Sequence, residues 1–180
     1  LSYRNLVEDG GPEFSKDQAK AMAAMFETEG SPNEDGEIIM RPAILSDHFV
    51  SPWENEQQAR AANGGAYPPD LSVIVKAREG GADYIYSLLI GYEDAPSDMA
   101  LDDGVYYNIY AKGNKIAMPQ PLYEDGVEYT DGTIATPEQM AHDVTMFLTW
   151  AAEPKLEARK RIGFKVISYL IILSFLLYFT

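Results

Sequence analysis

Arg159-Lys160-Arg161-Ile162-Gly163-Phe164-Lys165 runs straight into Val166-Ile167-Ser168-Tyr169-Leu170-Ile171-Ile172-Leu173-Ser174-Phe175-Leu176-Leu177-Tyr178-Phe179-Thr180, and this stretch decides the architecture. From Ile162 onward the single charge is Lys165. A helix rising about 1.5 Å per residue from Ile162 to the last residue reaches roughly 28 Å, close to the hydrocarbon thickness of a bilayer. A core helix of a soluble domain keeps a polar face, whereas this segment is apolar all round. The pattern predicts a transmembrane anchor over 158–180. Taken alone, the cations before the span would hold the preceding chain in the cytoplasm. A domain of this size, however, crosses a membrane largely regardless of its flank, so the charge pattern leaves orientation open.

Ahead of the anchor lies a body of opposite character. All 28 Asp and Glu fall at or before Glu157, against ten Lys and Arg, an excess of eighteen negative charges. Such a surface repels nucleic acid, stays soluble and steers basic partners toward itself. Apolar residues make up 46% of the chain, enough for a packed core, while 11 Pro, 14 Gly and 12 Tyr point to a loop-rich domain. Cysteine is absent, which excludes disulfides, thiolate metal sites and cysteine nucleophiles among these residues. Leu1-Ser2-Tyr3-Arg4 has none of the marks of a signal peptide and reads as interior sequence.

Within the body the helix signals dominate. Ser15-Lys16-Asp17-Gln18 forms a capping box that predicts a helix to about Glu29, stopped by Gly30. Ser51-Pro52-Trp53-Glu54 predicts a second, ended by Asn63-Gly64-Gly65. Asp70 would cap a short helix with Leu71, Ile74 and Val75 on one face, and Ala82 to Ile90 reads as another. Thr136-Pro137-Glu138-Gln139 opens the most amphipathic segment, with Met140, Val144, Phe147, Leu148 and Ala151 on one stripe. Val105-Tyr106-Tyr107 and Val127-Glu128-Tyr129 would pair as a small ribbon. The fold class is mainly α, with long loops, a small β ribbon and one C-terminal transmembrane helix.

Motifs for nucleophilic, phosphate-binding or zinc-peptidase chemistry are missing. His48 and His142 are far apart and read as structural or surface residues. Met118 differs in its setting from the other six methionines, since it lies in Lys115-Ile116-Ala117-Met118-Pro119-Gln120-Pro121. Two prolines stiffen that loop, which suits a thioether that must hold a metal. The residues by themselves also allow a core-filling methionine.

Several longer stretches occur in a telling order. Tyr3-Arg4-Asn5-Leu6 is followed by Ala61-Ala62-Asn63-Gly64-Gly65-Ala66-Tyr67-Pro68-Pro69-Asp70-Leu71-Ser72. Then come Lys76-Ala77-Arg78-Glu79-Gly80-Gly81-Ala82-Asp83-Tyr84, Leu89-Ile90-Gly91-Tyr92 and Ile116-Ala117-Met118-Pro119. Tyr129-Thr130-Asp131-Gly132-Thr133 and Phe147-Leu148-Thr149-Trp150-Ala151-Ala152-Glu153-Pro154 complete the series before the basic cluster and the span. This succession resembles the cytochrome c1 family along nearly the whole chain.

The resemblance implies a haem c attached through a Cys-x-x-Cys-His motif whose histidine is one axial ligand. Met118 matches the methionine that supplies the other. Arg78 and Tyr84 match residues beside the haem propionates, and Asn63, Pro68 and Pro69 match the loop lining the pocket. In the family the attachment motif precedes the Tyr-Arg-x-Leu stretch, which places it before Leu1 and makes these residues a fragment of the haem protein. On this reading 1–157 is an extracytoplasmic haem domain, in a bacterial periplasm or the mitochondrial intermembrane space, and 158–180 its anchor. Implied partners are cytochrome b, the Rieske iron–sulfur protein that gives the electron, a basic c-type cytochrome that takes it, and the lipid bilayer. The rival expectation is an acidic, membrane-tethered docking or assembly module with no redox centre.

Overall fold

The computed structural model describes residues 1–179, which divide into two compact units, one built from 1–48 with the C-terminal segment from Glu153, the other from Phe49–Ala152. The first unit opens with a 3-10 turn, Tyr3–Val7, and helix α1, Lys16–Ala23. Ser15 caps α1 as the sequence predicts: Gln18 N donates to Ser15 Oγ at 3.2 Å, and Ser15 N donates to Gln18 Oε1 at 2.9 Å. The helix does not reach Glu29. It stops at Ala24, and Glu27–Pro32 forms strand β1, paired antiparallel with β2, Ile38–Pro42. Cross-strand hydrogen bonding there overrides the helix preference of Met25 to Glu29. Gly30 is a strand residue rather than a helix stop, and a Cβ on it would lie 2.7 Å from Ile39 O. Tyr3, Leu6, Ala19, Ala23 and Ala43 form the buried centre of this unit, and Tyr3 stacks on Phe26 at 6.2 Å.

Helix α5 closes the same unit as one continuous run, Leu156–Tyr178. It is long and apolar enough to cross a membrane, and none of its apolar window is buried against protein.

The second unit holds α2, Glu56–Ala62, α3, Gly81–Ile90, and α4, Pro137–Ala152, with a two-stranded ribbon of β3, Tyr106–Tyr107, and β4, Lys115–Ile116. Asn55 caps α2 by accepting from Gln58 N at 2.9 Å, so the helix starts later than Ser51 suggests. Ser51 instead hydrogen-bonds to Trp53 within its own turn. Asp70 accepts from Ser72 N at 2.7 Å, and the chain continues as a series of turns rather than a helix. Of the three apolar residues there, Ile74 is buried while Leu71 is exposed.

The ribbon partner also differs from expectation, because β3 pairs with Lys115–Ile116 and not with Val127–Tyr129. Tyr129 turns to α4, where its hydroxyl donates to Asp143 at 2.6 Å, joined by Gln139 at 3.0 Å. On α4 the buried residues are Met140, Ala141, Thr145 and Leu148, whereas Val144 and Phe147 of the predicted stripe are exposed. At 100° per residue the buried face is turned by roughly 60° from that stripe. Small Ala141 and Thr145 are what let α4 sit close to α3. Ile74, Ile85 and Leu148 form the cluster between them, with Val75, Tyr84 and Leu89 packed around it.

Candidate haem-binding site

Asn108 is the pin of the second unit. It is fully buried, and Nδ2 donates to Leu88 O at 2.8 Å while Oδ1 accepts from Tyr110 N at 3.0 Å and Ala111 N at 3.2 Å. The end of α3 is thereby tied to the strand that feeds the ribbon. Ile109 N also donates to Gly91 O, and Tyr92 bridges to Asn108. Gly91 has no room for a side chain: a Cβ would lie 2.5 Å from Tyr110 Cδ2 and 2.9 Å from Ser87 O. This junction fixes Tyr92, whose hydroxyl donates to Met118 O at 3.0 Å. Burial, with a smaller contribution from Tyr123, pushes the Tyr92 hydroxyl up to about 12, so it remains a donor at physiological pH.

Met118 follows β4 by two residues and precedes Pro119. Its side chain is 38% exposed, so it does not fill a core. Neither Tyr92 nor Asn108 was assigned a role from sequence. A lone amide inside Val105-Tyr106-Tyr107-Asn108-Ile109-Tyr110 was the available signal for the latter.

The remaining predicted residues lie on separate supports. Arg78 is exposed, and its guanidinium donates to the adjacent Ala77 O at 3.1 Å; no carboxylate pairs with it among the described residues. Tyr84 sits two turns on, half-buried against the α3–α4 cluster. Asn63 Nδ2 folds back to Ala59 O at 2.7 Å and caps α2, and Pro68 and Pro69 are exposed beyond it. Among the described residues no hydrogen bond links Asn63, Arg78, Tyr84 and Met118 to one another. His48 bridges to Ser2, and His142 lies 3.4 Å from Asp143 on α4. No group of three His, Cys, Asp or Glu able to hold a metal ion occurs among the described residues.

These residues fit a large apolar group that carries carboxylates. Leu71, Val73 and Tyr67 are exposed, Met118 offers a soft donor, and Arg78 offers a guanidinium without an acidic partner among the described residues. Half of the eight buried apolar residues of the unit are alanine, Ala59, Ala111, Ala135 and Ala141, and the others are Ile74, Ile85, Met140 and Leu148.

The sequence pattern of the Cytochrome C1 family matches residues 1–180. The chain belongs to the cytochrome c1 family. It is 51% identical over 165 residues to "Cytochrome c1 2, heme protein, mitochondrial" of Arabidopsis thaliana, covering 92% of this chain and 53% of that protein. Against "Cytochrome c1, heme protein, mitochondrial" of Saccharomyces cerevisiae it is 51% identical over 168 residues, covering 93% and 53%. A bacterial relative, "Cytochrome b/c1" of Bradyrhizobium diazoefficiens, is 45% identical across all of this chain and 29% of its own length. This member of the cytochrome c1 family thus spans about half the length of the curated mitochondrial relatives it matches.

Proposed function

We propose that the chain is the greater part of a membrane-anchored electron carrier of a quinol–cytochrome c reductase. The reading is carried by Met118, a half-exposed thioether in a loop stiffened by Pro119 and Pro121 and held by Tyr92, in a chain of the cytochrome c1 family. A haem c bound there supplies a one-electron couple whose potential depends on its axial ligands. Met118 would hold the iron through its sulfur, Arg78 and Tyr84 would hold the propionates, and Asn63, Pro68 and Pro69 would line the pocket. None of the 180 residues is cysteine, and neither His48 nor His142 matches the family's ligand, so on this reading thioether attachment and the second protein ligand would draw on other residues.

In this role the body at 1–157 lies outside the cytoplasm, in a periplasm or intermembrane space, and 158–180 spans the inner membrane beside cytochrome b. The electron arrives from the Rieske iron–sulfur protein and leaves to a basic c-type cytochrome drawn by the acidic surface.

The test is a redox titration of the intact haem protein carrying Met118→Leu. Leucine keeps volume and apolarity, so a structural methionine would tolerate the change for less than about 1.5 kcal/mol. A ligand would not: the midpoint falls and the haem spectrum changes. Leucine at Met22, Met25, Met40, Met99, Met140 or Met146 should leave both unaltered. An unchanged midpoint and spectrum in Met118→Leu removes this residue from the iron.

A further inference from the structure

Four cations stand at the start of α5, and they are not equivalent. Arg159 is engaged, with Nη2 donating to Glu153 Oε2 at 3.0 Å. Lys160, Arg161 and Lys165 are exposed and make no ion pair or side-chain hydrogen bond among the described residues. At 100° per residue these three occupy an arc of roughly 140° on the helix, and Arg159 lies outside it. Phe164, 74% exposed, falls within the same arc. Glu157 shares this side one turn earlier and forms no ion pair with them among the described residues.

Height along the helix matters as much as direction. Val166 begins the uncharged run, and Lys165, Arg161 and Lys160 precede it by about 1.5, 7.5 and 9 Å. The headgroup layer of a bilayer is on the order of 5–8 Å thick on each side. With their long flexible stems, all three side chains reach the level of lipid phosphates. A ligand for this arc must offer an anion to the cations and acyl chain to Phe164 and the apolar turns beyond, which a free phosphate cannot do. The acidic body makes the arc more telling, since its excess of eighteen negative charges repels an anionic surface that the collar alone attracts.

We infer that Lys160, Arg161 and Lys165 form a binding site for anionic phospholipid in the leaflet next to the folded body. The inference rests on α5 spanning the membrane, and the experiment separates the two. Intact haem protein in mild detergent is given mixtures of phosphatidylglycerol and phosphatidylcholine, and retained lipids are counted by native mass spectrometry. Phosphatidylglycerol should be enriched, by about fivefold per cation and roughly a hundredfold for three acting together. The combined variant Lys160→Gln, Arg161→Gln, Lys165→Gln should lose that enrichment with its haem spectrum unchanged, while Arg159→Gln should keep most of it. Equal retention of the two lipids by the unmodified protein, or enrichment that survives the triple variant, overturns the proposal. Displacement of the lipid by inorganic phosphate at the same concentration overturns it too, in favour of a simple anion site. Flotation with pure phosphatidylcholine vesicles tests the anchor by itself. A protein that does not float refutes the membrane span, whereas one that floats without lipid preference refutes only the binding site.

Discussion

Asn108 carries a disproportionate share of the second unit. Both ends of its amide are used, and no water can substitute where the side chain is fully buried. Replacing it with alanine leaves Leu88 O and Tyr110 N without this partner, while Ala111 N keeps its bond to the backbone carbonyl of residue 108 at 3.2 Å. Each stranded group costs on the order of 1 kcal/mol or more. Asn108→Ala should therefore lower stability by about 2–4 kcal/mol in chemical denaturation. It should also loosen the link from α3 through Tyr92 to Met118, so that the haem midpoint shifts although Asn108 lies outside the pocket. A destabilised protein with an unmoved midpoint would confine the residue to packing.

At the scale of elements, the β1–β2 hairpin shows what could and could not be read in advance. Pro32-Asn33-Glu34-Asp35-Gly36 is a turn signal, and Asn33 does organise the turn, accepting from Glu37 N at 2.8 Å. Met25 to Glu29 nevertheless read as helix, because strand pairing with residues ten or more positions later is invisible to local propensity. Capping chemistry acts within one turn, so the start of α1 and the end of α2 were legible, as were the span of α3 and, through its uniform apolarity, the apolar C-terminal helix. Which flank of α4 packs depended on Ala141 and Thr145 being small enough for close approach, and hydropathy does not report that. Met118 was visible through its prolines and its family pattern; the Tyr92 bond that holds it was not.

The hairpin carries its own test. On β2, the Arg41 guanidinium grips Asp47 with two bonds, at 2.7 and 3.0 Å, and Ile44 N donates to the same carboxylate at 2.8 Å. The Arg41 bonds first, then Ile44 N, hold the Asp47 carboxyl down at about 2. A carboxyl depressed in the folded state stabilises above its unfolded value near 4 and loses that contribution as pH falls toward 2. The difference in melting temperature between the unmodified protein and Asp47→Asn should be constant above pH 5 and close between pH 4 and 2. A gap of the same size at pH 2 and pH 6 would mean that the pair contributes nothing through its charge.

For the molecule as a whole, charge separation is the dominant feature: an acidic body, then a basic collar, then an apolar rod. Exposed charges are screened beyond about 8–10 Å at physiological ionic strength. If the protein docks a basic c-type cytochrome as proposed, that association should slow steeply from low to physiological salt in stopped-flow measurements, while dissociation changes less. A salt-independent association rate would leave solubility as the role of the acidic surface.

The small number of buried apolar side chains in the second unit has a consequence for the life of the protein in the cell. A domain with eight buried apolar residues, half of them alanine, leaves little margin for folding by itself, and a tightly bound group adds stability in proportion to the logarithm of its saturation. Acquiring haem and becoming resistant to degradation are then a single event. Supply of the cofactor, more than synthesis of the polypeptide, would set how many molecules survive quality control. Limited proteolysis should show this directly, with the haem-free chain cut between Phe49 and Ala152 far sooner than the loaded one, and equal lifetimes would break the connection.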